Sequence, residues 1–167
     1  MRLFLALCPD QNTLDTLCAI PLPEGRRTPR ENLHMTLAFL GETAPERVPL
    51  LETLLRKSAK GIPAIEIHMD RLNCFSDKRD TRLVYLTGEP PKEQTLLASR
   101  LHEALRREGF PLEDRAFLPH VTLCRRCAST PTASPNFSCN FPTLSLMESE
   151  LRPEGAMYRA IYTVALT

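Results

Sequence analysis

Two short stretches of this 167-residue chain repeat one pattern, and together they constrain its fold more than any other feature. The first is Asn32-Leu33-His34-Met35-Thr36-Leu37-Ala38-Phe39-Leu40-Gly41; the second is Pro119-His120-Val121-Thr122-Leu123-Cys124-Arg125. Both contain His-x-Thr-Leu. Side chains alternate between the faces of a β-strand, so His34, Thr36 and Ala38 are expected on one face and Met35, Leu37 and Phe39 on the other. His120 and Thr122 follow the same rule. Each stretch then offers one imidazole and one hydroxyl to a single surface, with apolar neighbours anchoring the strand in a core. A lone histidine two residues from a threonine carries little information. Two of the chain's four histidines in the same frame, one in each half, point to a pair of ligand-facing strands.

The length suits one domain with a substantial core, or two small lobes sharing one. A formal charge of +1 excludes a general nucleic-acid coat but leaves room for a local basic cleft. The apolar start Leu3 to Leu7 is halted by Pro9 and Asp10, too early for a signal peptide, and Leu7 is bulky where a lipoprotein cleavage site before Cys8 would need a small residue. No stretch has the length of a membrane span, and the expected location is the cytoplasm. The six cysteines are expected as reduced thiols, most of them buried small hydrophobes. Cys124-Arg125-Arg126-Cys127 is half of a zinc site or a redox pair on paper. No second C-x-x-C completes it, and adding His34 and His120 does not reproduce zinc-site spacing.

In chain order, Arg2 to Cys8 reads as a buried strand and Gln11 to Ile20 as a helix. Pro21 to Arg30 is a proline- and arginine-rich loop that delivers Arg26, Arg27 and Arg30 beside His34, either as a solvated loop or as an electrostatic lip for a phosphate. A strand from His34 to Leu40 leads to a helix ending near Ala59, with Leu50, Leu51, Leu54 and Leu55 inward. Ala64 to Leu72 alternates as one strand with a wet face carrying His68, and pairs as a hairpin with Arg82 to Thr87 across a charged turn at Ser76 to Asp80. A helix over about Lys92 to Glu108 has the stripe Leu96, Leu97, Leu101 and Leu105, with His102 partly exposed beside it. Pro119 has no amide proton for a ladder, so the second motif strand begins at His120. Ala128 to Pro135 reads as a surface loop. Phe141 to Arg152 and Met157 to Leu166 form a final strand pair turned at Pro153-Glu154-Gly155.

The paired motifs, the first running into Leu37-Ala38-Phe39-Leu40-Gly41 and the second followed by an arginine, closely resemble the 2H phosphoesterase superfamily. The likeness is strongest to the RNA 2',3'-cyclic phosphodiesterases, also called 2'-5' RNA ligases, and extends to Arg2-Leu3-Phe4-Leu5-Ala6-Leu7 and the segment from Ser149 to Tyr158. Cys124 stands where an apolar residue is commoner. The resemblance implies an α+β fold of two pseudo-symmetric lobes, each an antiparallel-rich sheet with helices outside, around a central groove lined by the two His-x-Thr strands. All 167 residues would form this single bilobal domain, expected as a monomer.

A 2',3'-cyclic phosphate opens when water is deprotonated on one side and the leaving ribose oxygen is protonated on the other. Histidine serves both tasks near neutral pH. The resemblance implies His34 as proton donor and His120 as proton acceptor, with no metal or other cofactor; symmetry of the motifs does not assign the roles. Thr36 and Thr122 are placed to hold non-bridging phosphate oxygens. The family pattern favours Arg125 as a further contact, although strict alternation turns it away from His120 and makes Arg126 its competitor. Phe4, Phe39, Phe75 and Phe117 are candidate base-stacking rings; core packing is expected for most of them, with Phe117, beside the motif, the preferred exception. The expected activity is hydrolysis of RNA or nucleotide 2',3'-cyclic phosphates to 2'-phosphomonoesters, with 2',5' ligation as a companion. The alternatives are a nucleotide- or RNA-end-binding protein that does not turn over, and a zinc protein built on Cys124 and Cys127.

Overall fold

The computed structural model describes residues 1–76, 82–112 and 118–167. Apolar runs ended by proline or turn residues set the elements. The order is β1 (Arg2–Cys8), α1 (Gln11–Cys18), β2 (Arg26–Arg27), β3 (Met35–Glu42), α2 (Val48–Ala59), β4 (Ile65–Met69), β5 (Arg71–Ser76), β6 (Arg82–Thr87), α3 (Lys92–Arg107), β7 (His120–Cys127), β8 (Phe137–Phe141), β9 (Thr143–Arg152) and β10 (Gly155–Ala165). Single 3-10 turns at Arg30–Asn32 and Pro45–Arg47 precede β3 and α2.

The strands form a four-stranded sheet ordered β10-β9-β1-β3, a second ordered β2-β7-β6-β5, and a two-stranded sheet of β4 and β8. Each of the paired strands runs antiparallel to its neighbour. This is the expected α+β class, with one His-x-Thr strand in each four-stranded sheet. One contiguous core joins the sheets and helices: Leu5 and Leu7 of β1, Leu55 of α2, Ile67 of β4, Leu86 of β6, Leu101 of α3, Val121 of β7 and Phe141 of β8.

Several expectations need correction. The stretch read as one strand from Ala64 to Leu72 is two strands broken at Asp70: β5 makes the expected hairpin with β6, whereas β4 pairs with β8. β8 itself lies before the strand expected to start at Phe141, and Pro142 separates it from β9. Both misreadings have one cause: the partner of β4 is some seventy residues away, and local alternation is blind to it. In α3 the stripe shifts by one position. Leu97, Leu101 and Leu105 are buried with Gln94 and Ala98, while Leu96 is exposed. The turn expected at Ser76 to Asp80 falls largely outside the described residues.

Candidate active site

β3 and β7 pack against one another, which brings the two motifs into one place. Each motif strand carries a β-bulge directly after its threonine. On β3, Leu5 pairs with Ala38 and Ala6 with Thr36, leaving Leu37 without an opposite residue. On β7, Val84 pairs with Cys124 and Tyr85 with Thr122, leaving Leu123 without one. A bulge adds one residue to a strand and so reverses the alternation beyond it.

The expected faces change accordingly. Thr36 pairs with Ala6 and Phe39 with Phe4, and Phe4 and Ala6 share a face on β1. Phe39 therefore stands on the His34–Thr36 side, 67% exposed, and Ala38 is the residue that enters the core. On β7 the bulge sends Cys124 into a small cluster with Val84 and Cys127, and the next residue, Arg125, returns to the face of Thr122. The parity objection to Arg125 is thereby removed. Arg126 takes a left-handed conformation at φ 52° in a second irregularity of the same strand.

The two imidazoles are held alike. His34 Nδ1 donates to the carbonyl of Asn32 at 2.6 Å and His120 Nδ1 donates to the carbonyl of Leu118 at 3.0 Å, in each case two residues back along the chain. A carbonyl only accepts, so Nδ1 carries the proton in both neutral rings and Nε2 is left for chemistry. The Nε2 of His34 lies 3.0 Å from Thr36 Oγ1. Thr87 Oγ1 donates to the carbonyl of Pro119, fixing the lead into the second motif, and Thr28 Oγ1 donates to the carbonyl of Thr122 at 2.9 Å.

Aromatic rings frame each histidine. Phe4 lies 5.0 Å and Tyr158 5.1 Å from the His34 ring, the latter edge-on, and Tyr85 stands edge-on to His120 at 5.5 Å. Asn32 Nδ2 donates to the carbonyl of Ala156 at 2.9 Å, tying the lead of β3 to the β9–β10 hairpin. Burial pushes the His34 imidazole below the usual histidine range; the Asn32 carbonyl opposes this, and the nearby positive charges of His120 and Arg125 add to it.

Of the remaining sequence candidates, Phe4 is buried beneath His34, Phe75 is 62% exposed on β5, and Phe117 lies outside the described residues. His68 is exposed, as expected. His102 is partly exposed, as expected, but it is not idle: its Nε2 donates to the carbonyl of Leu37 at 2.8 Å. The three loop arginines part company. Arg27 donates to the carbonyls of Leu17, Cys18 and Ile20, and Arg30 pairs with Asp15 at 2.7 Å, so both brace α1. Only Arg26, opposite Arg125 on the β2–β7 ladder, points along the motif face. Sequence reading missed Tyr85, Tyr158 and Asn32, whose placement depends on cross-strand partners and leaves no local signature.

The cysteines are free thiols, with Cys124, Cys127 and Cys139 buried and Cys18 exposed. Burial, reinforced by Cys127, pushes the Cys124 thiol up to about 12. Among the described residues no three His, Cys, Asp or Glu side chains converge as a metal site, and no helix is long and apolar enough to cross a membrane.

Comparison with known proteins gives a consistent answer. The sequence model of the 2'-5' RNA ligase superfamily matches residues 11–146. An RNA 2',3'-cyclic phosphodiesterase of Bacillus subtilis (strain 168) is 36% identical over 95 residues, covering 56% of this chain and 51% of that protein, so the match spans about half of that relative's length. The protein of the same name from Escherichia coli (strain K12) is 30% identical over 151 residues, 88% of this chain and 83% of the relative. The crystal structure of E. coli LigT complexed with 3'-AMP superposes with a TM-score of 0.79 at 29% identity, covering 99% of this chain and 98% of that one.

Proposed function

The chain belongs to the 2'-5' RNA ligase superfamily, and from that premise we propose that it opens 2',3'-cyclic phosphate ends of RNA or nucleotides to 2'-phosphomonoesters by two-histidine acid–base catalysis. The observation that carries this reading is the matched tethering of the two rings, each bonded through Nδ1 to the carbonyl two residues back. Two unconnected structural histidines have no reason to share that arrangement. It leaves two Nε2 atoms for proton transfer at one phosphate.

In the proposed step His120 Nε2 takes a proton from water, the water oxygen bonds to phosphorus, the bond from phosphorus to the 3'-oxygen breaks, and His34 Nε2 gives that oxygen a proton. The product is a 2'-phosphate with a free 3'-hydroxyl. A 5'-hydroxyl of a second RNA in place of water gives a 2',5' linkage through the same bond changes. Thr36 and Thr122 donate to the non-bridging oxygens and Arg125 supplies a charge-assisted contact; hydrogen bonds to charged groups are each worth about 1.5–3 kcal/mol. Phe39, exposed on the motif face, joins Phe117 as a ring to stack on the base.

The test is turnover of an oligonucleotide ending in a 2',3'-cyclic phosphate, in excess chelator, with the product phosphate located by phosphorus NMR. A 2'-phosphate product and a loss of at least about 10² in rate for both His34→Ala and His120→Ala are expected. Full rate in either variant, or tight binding of the cyclic end without turnover by the wild type, sinks the proposal.

A further inference from the structure

The loop before the first motif spends two of its three arginines on α1 and aims the third elsewhere. Arg27 and Cys124 are opposite one another on the β2–β7 ladder, Arg27 reaching the carbonyls where α1 ends, whereas Arg26 and Arg125 are opposite one another on the motif face. Two guanidinium side chains directly opposed across an antiparallel pair repel. The backbone nevertheless holds them there. Thr28 N donates to the carbonyl of Leu123 at 2.9 Å and Ala128 N to the carbonyl of Glu24 at 2.7 Å, closing the ladder on either side of the pair. Gly25 lets the strands meet: a Cβ there would stand 2.9 Å from Cys124 Sγ and from the Cα of Cys127. The guanidinium of Arg26 extends away from its own sheet to within 4.0 Å of the point where a Cβ on Gly155, at the β9–β10 turn of the other sheet, would lie.

A fixed pair of like charges becomes favourable when an anion lies between or along them. We propose that Arg26 forms a second phosphate subsite beside Arg125, holding the phosphodiester that precedes a terminal cyclic phosphate. The preferred substrate is then an oligonucleotide end and not a mononucleotide. Opposed Cβ atoms stand about 5 Å apart, and two long side chains fanning from them span neighbouring phosphates of one strand. This rests on the cyclic phosphodiesterase reading and adds to it a substrate size and the residue that sets it.

The experiment compares kcat/KM on a nucleoside 2',3'-cyclic phosphate with kcat/KM on a dinucleotide ending in the same group, for the wild type, Arg26→Gln and Arg26→Lys. In Arg26→Gln the dinucleotide-to-mononucleotide ratio is expected to fall by about tenfold, the loss of one charge-assisted contact. The log–log salt dependence on the dinucleotide should become shallower by about 0.7, one phosphate contact on a single strand. Arg26→Lys should keep that slope. An unchanged ratio in Arg26→Gln, whether both substrates suffer equally or neither does, overturns the proposal. If the wild type turns over neither substrate, the activity reading fails by itself, and the subsite is then decided by equilibrium binding. Arg26→Gln must weaken an oligonucleotide carrying a 2'-phosphate more than a nucleoside 2'-monophosphate, and equal weakening refutes it.

Discussion

His34 and His120 share a backbone tether but not an environment, and the difference sets a pH dependence. Burial and neighbouring positive charge hold His34 below the ordinary histidine value of about 6.5. The alkaline limb of kcat/KM reports the free-enzyme pKa of the required acid. With His34 as proton donor, kcat/KM should therefore fall as pH rises through a value below about 6.5. A bound phosphate brings negative charge beside the ring and raises its pKa, so the alkaline limb of kcat should lie at higher pH than that of kcat/KM. Ring-proton NMR of His34, assigned by His34→Gln, checks the titration independently. If His34 titrates low while the alkaline limb of kcat/KM stays well above it, the roles are reversed, because a depressed pKa also suits a base that must be neutral. The same shift has a sign for stability. Native His34 resists a proton that the unfolded chain accepts, so its contribution is complete above the unfolded value of about 6.5 and is lost as pH falls from there through the native value.

The bulges after Thr36 and Thr122 explain why elements, more than residues, make this site. Each restores to the motif face a side chain that alternation had assigned elsewhere: Phe39 on β3, Arg125 on β7. On β3 the bulge carbonyl, that of Leu37, is held from behind by His102 of α3. Replacing His102 by Phe keeps the bulk of a ring and leaves that carbonyl without its donor, which should cost about 1–3 kcal/mol of stability. It should also loosen Thr36 and Phe39, read as altered amide shifts at both and a lower kcat/KM. His102→Gln, which retains an N–H of similar reach, should recover most of both. A His102→Phe protein with wild-type stability and rate would show that the bulge needs no brace. The bulge marks the limit of sequence reading here. The motif residues, the helices and the four-residue frame were legible because they depend on local spacing. The bulge depends on Leu5 and Ala6 standing opposite β3, some thirty residues earlier in the chain, and the docking of Arg27 on α1 depends on the carbonyls where that helix ends. No periodicity within either segment encodes such partners. The strand β8 escaped notice for the same reason, since its pairing with β4 is what makes it a strand.

At the scale of the whole molecule, the question is whether the two motif-bearing sheets behave as one body, because proton transfer across a cleft requires its walls to be fixed relative to each other. The core answers through its continuity. Leu5 and Leu7 behind β1, Leu86 and Val121 behind the second sheet, and Phe141 and Ile67 of the β4–β8 pair belong to a single buried cluster. Gly88, at the end of β6, lies so close to β4 that a Cβ there would fall on the backbone carbonyl of His68, so sheet and ladder touch without an intervening side chain. A chain joined in this way is expected to unfold as one unit. Phe141, fully buried where these parts meet, is the residue through which to test it. Phe141→Ala should lower stability by about 3–5 kcal/mol. In urea, methyl signals of Leu5 in one sheet and Leu86 in the other should move to the same lower midpoint, together with the far-ultraviolet circular dichroism. Were the Leu5 and Leu86 transitions to separate, the sheets would be distinct folding units. The fixed spacing of His34 and His120 would then have to come from a bound substrate.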